Sequence, residues 1–395
     1  MKFAQRLQNL GGNLFAEMDR AKAQARDRGL PILDLSVGSS DLSPPSAVLA
    51  TIAEAIADPS THGYLLHRGT LPFRQAVATW YERKFGLRVD PETEVLLLIG
   101  SQEGTAHLPL ALLNPGDVAL LCDPCYPSHR GGIHLAGGEI YGMPLTADRA
   151  FLPDFGAIPA DILARAKCMV LSYPHNPTAA LAPLAFFEEA VAFCQRHNLV
   201  LVHDFPYPDF NFGPEPVPSV FQADRDRSCA IEFFSLSKSY HMGGFRVGYA
   251  IGNRDLIQAL AQVKGAIDFN QYLGILRGAI VALTGDQSSV GAMREVFRQR
   301  RDLAIDRLEK MGWSVPIPEA TPYLWAPLPA AWKADSLGFC TQLVMETGVA
   351  LAPGVGFGAA GEGYVRFALV QGNNQLATAI DRVGSFLRSA PLSDF

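Results

Sequence analysis

The 395-residue sequence contains no apolar run long enough to span a bilayer, which argues against a membrane-spanning helix. Its opening residues, Met1-Lys-Phe-Ala-Gln-Arg-Leu7, lack the apolar core of a secretory signal, so the expected compartment is the cytoplasm. Basic charge is not in excess: 33 Lys and Arg stand against 39 Asp and Glu, a net −6, which argues against a nucleic-acid partner. Six cysteines are too few to frame a chain of this length with disulfides. Cys122 and Cys125 form a C-x-x-C, yet no second pair or nearby histidine pair completes a zinc site, so no metal is expected. Internal repeats and low-complexity tracts are also missing. What remains is the composition of a globular enzyme, 48% hydrophobic and 18% charged, long enough for two domains.

The order of elements points to an α/β fold. Residues 1–30 read as a helix, with Leu7, Leu10, Leu14 and Met18 at helical spacing. A short strand at Ile32–Ser36, a loop through Pro45 and helices over 46–57 and 72–85 follow. From there, apolar strands at 95–99, 118–122, 168–172, 199–203, 230–235 and 247–251 are separated in several places by helical stretches. That alternation predicts a mostly parallel sheet with helices on its faces. Beyond residue 286, a long charged helix over 290–311 and a terminal helix near 375–387 suggest a smaller α+β domain. The expected division is an N-terminal arm at 1–45 that is also part of the small domain, a large domain at 46–285 and a small domain at 286–395.

In such sheets ligands gather beyond the carboxyl ends of the strands, so the residues that follow each strand matter most. Gly100-Ser-Gln-Glu-Gly104 is a small-residue turn that opens a helix, and the N–H groups and hydroxyl around Ser101 suit a phosphate. Tyr126 stands in Asp123-Pro-Cys-Tyr-Pro127, where it would pack against either a ligand or the core. Asn176 lies between two prolines that fix its backbone, ready to aim its amide or to cap a turn. Asp204 ends an apolar run, a costly place for a carboxylate unless it meets a cation or caps a helix. Tyr207 follows three residues later.

Ser235-Leu-Ser-Lys-Ser-Tyr-His-Met-Gly-Gly-Phe-Arg246 is the densest stretch of candidate chemistry. Lys238 follows an apolar strand and sits among small residues, where desolvation frees an amine to attack a carbonyl. A surface turn leading into a glycine-rich loop would look the same locally. Hydroxyls beside the lysine, and Arg246 eight residues on, suit a carbonyl cofactor that also bears a phosphate, as pyridoxal phosphate does. Asp204 would then meet the cation of a protonated pyridine nitrogen. Gly356-Phe-Gly-Ala-Ala-Gly361 matches a dinucleotide-binding pattern but precedes a strand, Tyr364 to Val370, instead of a helix, so that reading fails. The strand bears Arg366, which needs an anion: a substrate carboxylate or a carboxylate of the protein.

Taken in order, these pieces resemble the class I/II aminotransferases of the fold-type I pyridoxal-phosphate enzymes, over nearly the whole chain. The matching positions are Gly38, Tyr64 with Gly69 and Arg74, Gly100–Gly104, Tyr126, Asn176-Pro-Thr178, Asp204 to Tyr207, Ser235-x-Ser-Lys238, Gly244-x-Arg246-x-Gly248 and Arg366. The resemblance implies an aspartate-aminotransferase-like architecture with a seven-stranded-type sheet and a homodimer with shared active sites. Lys238 would bond the cofactor covalently and shuttle a proton, Asp204 would hold the pyridine nitrogen, and Tyr126 would stack on the ring. Asn176 and Tyr207 would hydrogen-bond the ring oxygen. Ser101, Gln102, Ser235 and Arg246 would hold the phosphate, with Tyr64 reaching it from the neighbouring subunit. Arg366 would clamp the substrate α-carboxylate, helped by the Gly38 backbone and Asn176.

The implied reaction moves an amino group from an L-amino acid to a 2-oxo acid such as 2-oxoglutarate. The runs from Gly100 to His107 and from Asn114 through Pro127 look most like the branch containing LL-diaminopimelate aminotransferases. Three departures stand out: Ser39-Ser40-Asp41 after Gly38, Ala179 after Asn-Pro-Thr, and Phe269-Asn270-Gln271 in place of a serine-rich segment. A C–S lyase or decarboxylase would share the same electron sink. A non-enzymatic pyridoxal-phosphate regulator would need a DNA-binding extension, for which the N-terminal segment is too short and too weakly basic.

Overall fold

A computed structural model describes residues 3–10 and 14–389. The predicted N-terminal helix is two pieces, a 3-10 turn at Gln5–Leu10 and an α-helix at Leu14–Asp27, with residues 11–13 outside the described set. Strand β1 (Leu33–Asp34) follows. The apolar runs then supply β2 (Val95–Leu98), β3 (Val118–Asp123), β4 (Glu139–Pro144), β5 (Ala166–Leu171), β6 (Val200–Asp204), β7 (Ala230–Ser235) and β8 (Gly248–Gly252). These last seven form one sheet in the order β2-β8-β7-β6-β5-β3-β4. Strand β8 pairs antiparallel with both neighbours and all other pairings are parallel, so the sheet is mostly parallel as predicted. Strands β2, β3 and β7 are buried except for the last residue of β3 and of β7, which is why they read as largely apolar runs.

Strand β4 escaped the sequence reading. It is the sheet's edge, mostly exposed or half-buried, and its Glu, Gly and Pro break any apolar run. The helix Leu273–Thr284 also went unread. Its Gly274 and Gly278 weaken helix propensity, but at Gly278 the missing side chain lets Ile52 and the Val48 carbonyl of the helix Ser46–Ile56 approach. A Cβ there would lie 2.6 Å from Ile52 Cγ1.

The C-terminal part adds β9 (Tyr323–Pro327), β10 (Val349–Ala350), β11 (Ala352–Pro353) and β12 (Tyr364–Ala368). Strand β12 lies between β11 and β9, antiparallel to both, while β10 pairs in parallel with β1 from the N-terminal segment. The long charged helix is Ser288–Lys310 and the last is Asn373–Ser389. Buried apolar residues fall into two main clusters. One runs from Val48 to Leu283 around the large sheet. The other joins Met18 to Leu35, Tyr207 and Phe210 with residues from Met293 to Phe386. No helix among the described residues is long and apolar enough to cross a membrane.

Candidate active site

One cavity of about 630 Å³ opens between the carboxyl ends of the sheet and the C-terminal strands. Every candidate site residue named from the sequence lines it except Tyr64. Tyr64 is instead 88% exposed and packs its ring against Phe269, itself on the surface, at 5.5 Å.

One end of the cavity is built on the turn after β2. Gly100 adopts a left-handed φ of +76°, and Ser101 and Gln102 begin the helix Ser101–Leu112. Four unpaired N–H groups at such a terminus favour an anion. The guanidinium of Arg246 packs against this turn so closely that a Cβ on Gly100 would meet its Nη2 at 2.5 Å. Arg246 also takes a positive φ, donates to the Gly243 carbonyl at 3.0 Å, and has its own carbonyl held by Gln271 Nε2 at 3.1 Å. Asn270 beside it donates to the Leu65 carbonyl at 2.8 Å. Ser235 caps the short helix Leu236–Ser239, accepting from Ser237 N.

Lys238, on that short helix, is half-buried. Its Nζ donates to the Gly38 carbonyl at 2.6 Å and lies 5.8 Å from the centre of the Tyr207 ring. Among the described residues no carboxylate pairs with it. Lys264 behaves oppositely, being locked between Glu103 and Asp268 at 2.8 and 2.9 Å. Gly38 is required by the close approach of Tyr323, whose Oη a Cβ would meet at 2.0 Å.

Asp204 ends β6 and is buried, and no helix begins there, so the capping alternative is set aside. Its Oδ2 meets His129 Nε2 at 2.9 Å, while its Oδ1 is buried without a hydrogen-bond partner. Burial alone would depress the His129 pKa, but hydrogen bonds to Asp204 and Cys125 raise it to about 9. Tyr126, above, turns out to be the N-cap of the helix Pro127–Ala136, with Pro127 at the favoured first position. Its ring meets His129 edge-on at 5.8 Å.

Arg366, on β12, is buried and finds no carboxylate among the described residues. It donates to Asn176 Oδ1 and to the Ser36 carbonyl, both at 2.7 Å, and its Nε has no partner. Tyr323 and Phe357 flank its guanidinium at 4.3 and 4.7 Å. Tyr207 Oη lies 3.0 Å from Tyr323 Oη. Burial raises the Tyr207 pKa well above its ordinary value. Burial would raise Tyr323 too, but the charges of Lys238 and Arg366 and the bond to Tyr207 lower it.

Three contributors were missed in the sequence. His129 could have been found from its place one turn after Tyr126. Tyr323 has no local signal, and His241 sits beside the lysine with its Nδ1 buried and unpartnered. Cys122 and Cys125 are both buried and unbonded.

An α/β scaffold with a phosphate-accepting helix terminus, an unpaired lysine, a buried acid and a buried arginine in one cavity is the frame of a group-transfer enzyme acting on carboxylate substrates. The comparisons give the class. Residues 31–383 match the family model of aminotransferase class I and II, and the chain belongs to that family: it is an aminotransferase. LL-diaminopimelate aminotransferase of Moorella thermoacetica is 42% identical over 97% of this chain and 98% of its own. The structure of a probable N-succinyldiaminopimelate aminotransferase from Thermus thermophilus is 43% identical, with a TM-score of 0.89 over 94% of this chain and 99% of its own. A mutant aspartate aminotransferase of Thermus thermophilus is 26% identical with a TM-score of 0.90, over 98% of this chain and 99% of its own. The architecture is therefore aspartate-aminotransferase-like.

Proposed function

We propose that the chain is a pyridoxal-phosphate transaminase that takes the amino group of a diaminopimelate and delivers it to a 2-oxo acid such as 2-oxoglutarate. The observation that carries the cofactor reading is Asp204 Oδ1, a buried carboxylate oxygen with no partner, in the same cavity as an unpaired lysine. Other buried side-chain atoms of the chain also lack a partner, Asp209 Oδ2 among them, but the Asp204 oxygen belongs to a cavity residue, where a ligand can complete it. A protonated pyridine nitrogen would. The close fit of Gly100 against Arg246 beside the helix terminus supports a phosphate at the other end.

When bound, pyridoxal phosphate supplies an electrophilic carbon for the donor's amino group and a ring that takes up negative charge from Cα. The protein's residues do the rest. Asp204, steadied by His129, holds the proton on the ring nitrogen. Tyr126 covers one face of the ring, and Asn176 and Tyr207 present polar groups to its edge. Ser101, Gln102, Ser235 and Arg246 bind the phosphate. Arg366 binds the α-carboxylate, with the Gly38 backbone beside it. Lys238 Nζ takes the proton from the donor's Cα and holds it for return.

The donor reading rests on likeness to relatives named for LL-diaminopimelate and for N-succinyldiaminopimelate. A homodimer is part of the same reading: Tyr64, tilted against Phe269, leaves two aromatic rings on the surface for a second copy to cover. Six unbonded cysteines suit the reducing cytoplasm. The two apolar clusters support a large domain at 46–285 and a small domain at 286–395 to which the N-terminal arm at 1–45 contributes.

The test is Lys238→Ala with added cofactor, alongside a half-reaction panel of diaminopimelate, glutamate, alanine, aspartate and aromatic donors. The variant should lose turnover while still binding the cofactor. Normal turnover by Lys238→Ala would sink the reading. Release of ammonia and pyruvate without any 2-oxo acid acceptor would point to a lyase instead.

A further inference from the structure

Seven acidic, basic or histidine side chains line the cavity, and the proposed chemistry uses four of them: Asp204, Lys238, Arg246 and Arg366. Asp19, Lys22 and His241 remain. Lys22, on the helix Leu14–Asp27, is held between two carboxylates, Asp19 at 2.7 Å and Asp34 at 3.1 Å. The two acids are not equivalent. Asp34 is anchored, its Oδ1 accepting from Ser36 N at 2.9 Å and Ser36 Oγ at 2.6 Å. Asp19 has Lys22 as its partner among the described residues, and its side chain is 69% exposed. A carboxylate held this loosely can be exchanged for a ligand's.

We infer that Asp19 and Lys22 read the far end of the donor, Lys22 taking its distal carboxylate in place of Asp19 while Asp19 turns to its distal ammonium. The inference rests on the reading that the donor is a diaminopimelate. It also chooses between the two kinds of donor for which the relatives are named. Free diaminopimelate ends in an ammonium and a carboxylate, a zwitterion. The succinylated compound replaces the ammonium by an amide and adds a second carboxylate. The group of Asp19, Lys22 and Asp34 carries one net negative charge. Burial alone would depress Lys22, but Asp19 and Asp34 raise its pKa, so it stays protonated. Burial holds His241 down at about 4, so it adds no positive charge to offset the acids. A net negative cluster at the far end of the cavity accepts a zwitterion that exchanges ion for ion, and repels a dianion. Ser39 and Ser40, in the loop that departs from the family pattern, line the same cavity and supply neutral hydroxyls.

The experiment measures kcat/KM of the holoenzyme for LL-diaminopimelate and for N-succinyl-LL-diaminopimelate, in the native chain and in Asp19→Asn and Asp19→Lys. Asp19 is exposed, so these variants should fold. The native enzyme should favour the free diamine. Asp19→Asn should lower that preference about fivefold, and Asp19→Lys should lower it further, toward the succinylated donor. Preference unchanged to within about twofold in both variants would overturn the inference while leaving the donor reading intact. So would a native preference for the succinylated donor. Turnover of neither compound by an enzyme active on another amino acid would overturn both.

Discussion

Two carboxylates on neighbouring strands, Asp204 on β6 and Glu232 on β7, are both buried and both 2.9 Å from a histidine. Their remaining hydrogen bonds separate them. Glu232 is saturated: Val220 N reaches Oε1 and Ser219 Oγ reaches Oε2, each at 2.7 Å, and Tyr81 Oη adds a third contact at 3.3 Å. Asp204 has His129 and an empty second oxygen. The strand makes this possible, because consecutive residues face opposite ways. His203 turns to Glu232 across the ladder, and Asp204, next in line, turns to the cavity. Burial and a histidine partner do not distinguish structure from function here. The unfilled acceptor does.

The sharpest way to break this contrast is to neutralise each acid in turn. Asp204→Asn should cut turnover by roughly a thousandfold or more, since it removes the charge proposed to hold the ring proton. Above about pH 9, where His129 is neutral, the amide can still accept from it, so there the unfolding free energy of the cofactor-free protein should move by less than about 1 kcal/mol. Turnover within tenfold of the native enzyme would remove Asp204 from the mechanism. Glu232→Gln should do the reverse. Loss of a buried charge that satisfies four donors should cost about 3 kcal/mol in urea denaturation, with turnover per folded molecule kept.

The strand ends were legible because the physics that shapes them is local. An acid, a lysine and an arginine at the ends of, or within, apolar runs are expensive, and that expense shows in the sequence at Asp204, Lys238 and Arg366. The apolar strands were legible for the same reason, including the buried edge strand β2, and β4 was not, because it is an exposed edge that need not be apolar. Partners brought together by the fold alone left little trace. His129 reaches Asp204 across 75 positions, and Tyr323 reaches Tyr207 across 116. Arg366 called for an anion, of a substrate or of the protein, and the structure gives it an amide oxygen and a carbonyl, leaving its charge without a carboxylate among the described residues.

A pH titration sharpens the contrast between the two histidines. His129 has a pKa raised from about 6.5 to about 9 by Asp204 and Cys125, against its burial. A raised folded-state value means the pair's stabilisation is complete below pH ~6.5 and is lost as pH climbs through about 9. The cofactor-free protein should therefore melt at progressively lower temperature between those limits. His129→Gln should flatten that slope. An unchanged slope in this variant would place the titration elsewhere.

The smallest effect expected is Tyr81→Phe, and it tests why the Glu232 network is durable. Tyr81 Oη lies 2.5 Å from Ser219 Oγ and 3.3 Å from Glu232 Oε2. Removing it leaves Ser219 on Oε2, and leaves Val220 N and His203 on Oε1. No buried atom is stranded, because the hydroxyl takes its own donor and acceptor away with it. The cost should be one neutral hydrogen bond, about 0.5–1.5 kcal/mol in urea denaturation. Redundant donors around one acceptor make the loss of any donor cheap and the loss of the acceptor expensive. Asp204 has no such redundancy on its open oxygen, so a single ligand donor there can be felt in full. A cost above about 3 kcal/mol for Tyr81→Phe would mean that the Glu232 donors act cooperatively and that redundancy does not explain the difference.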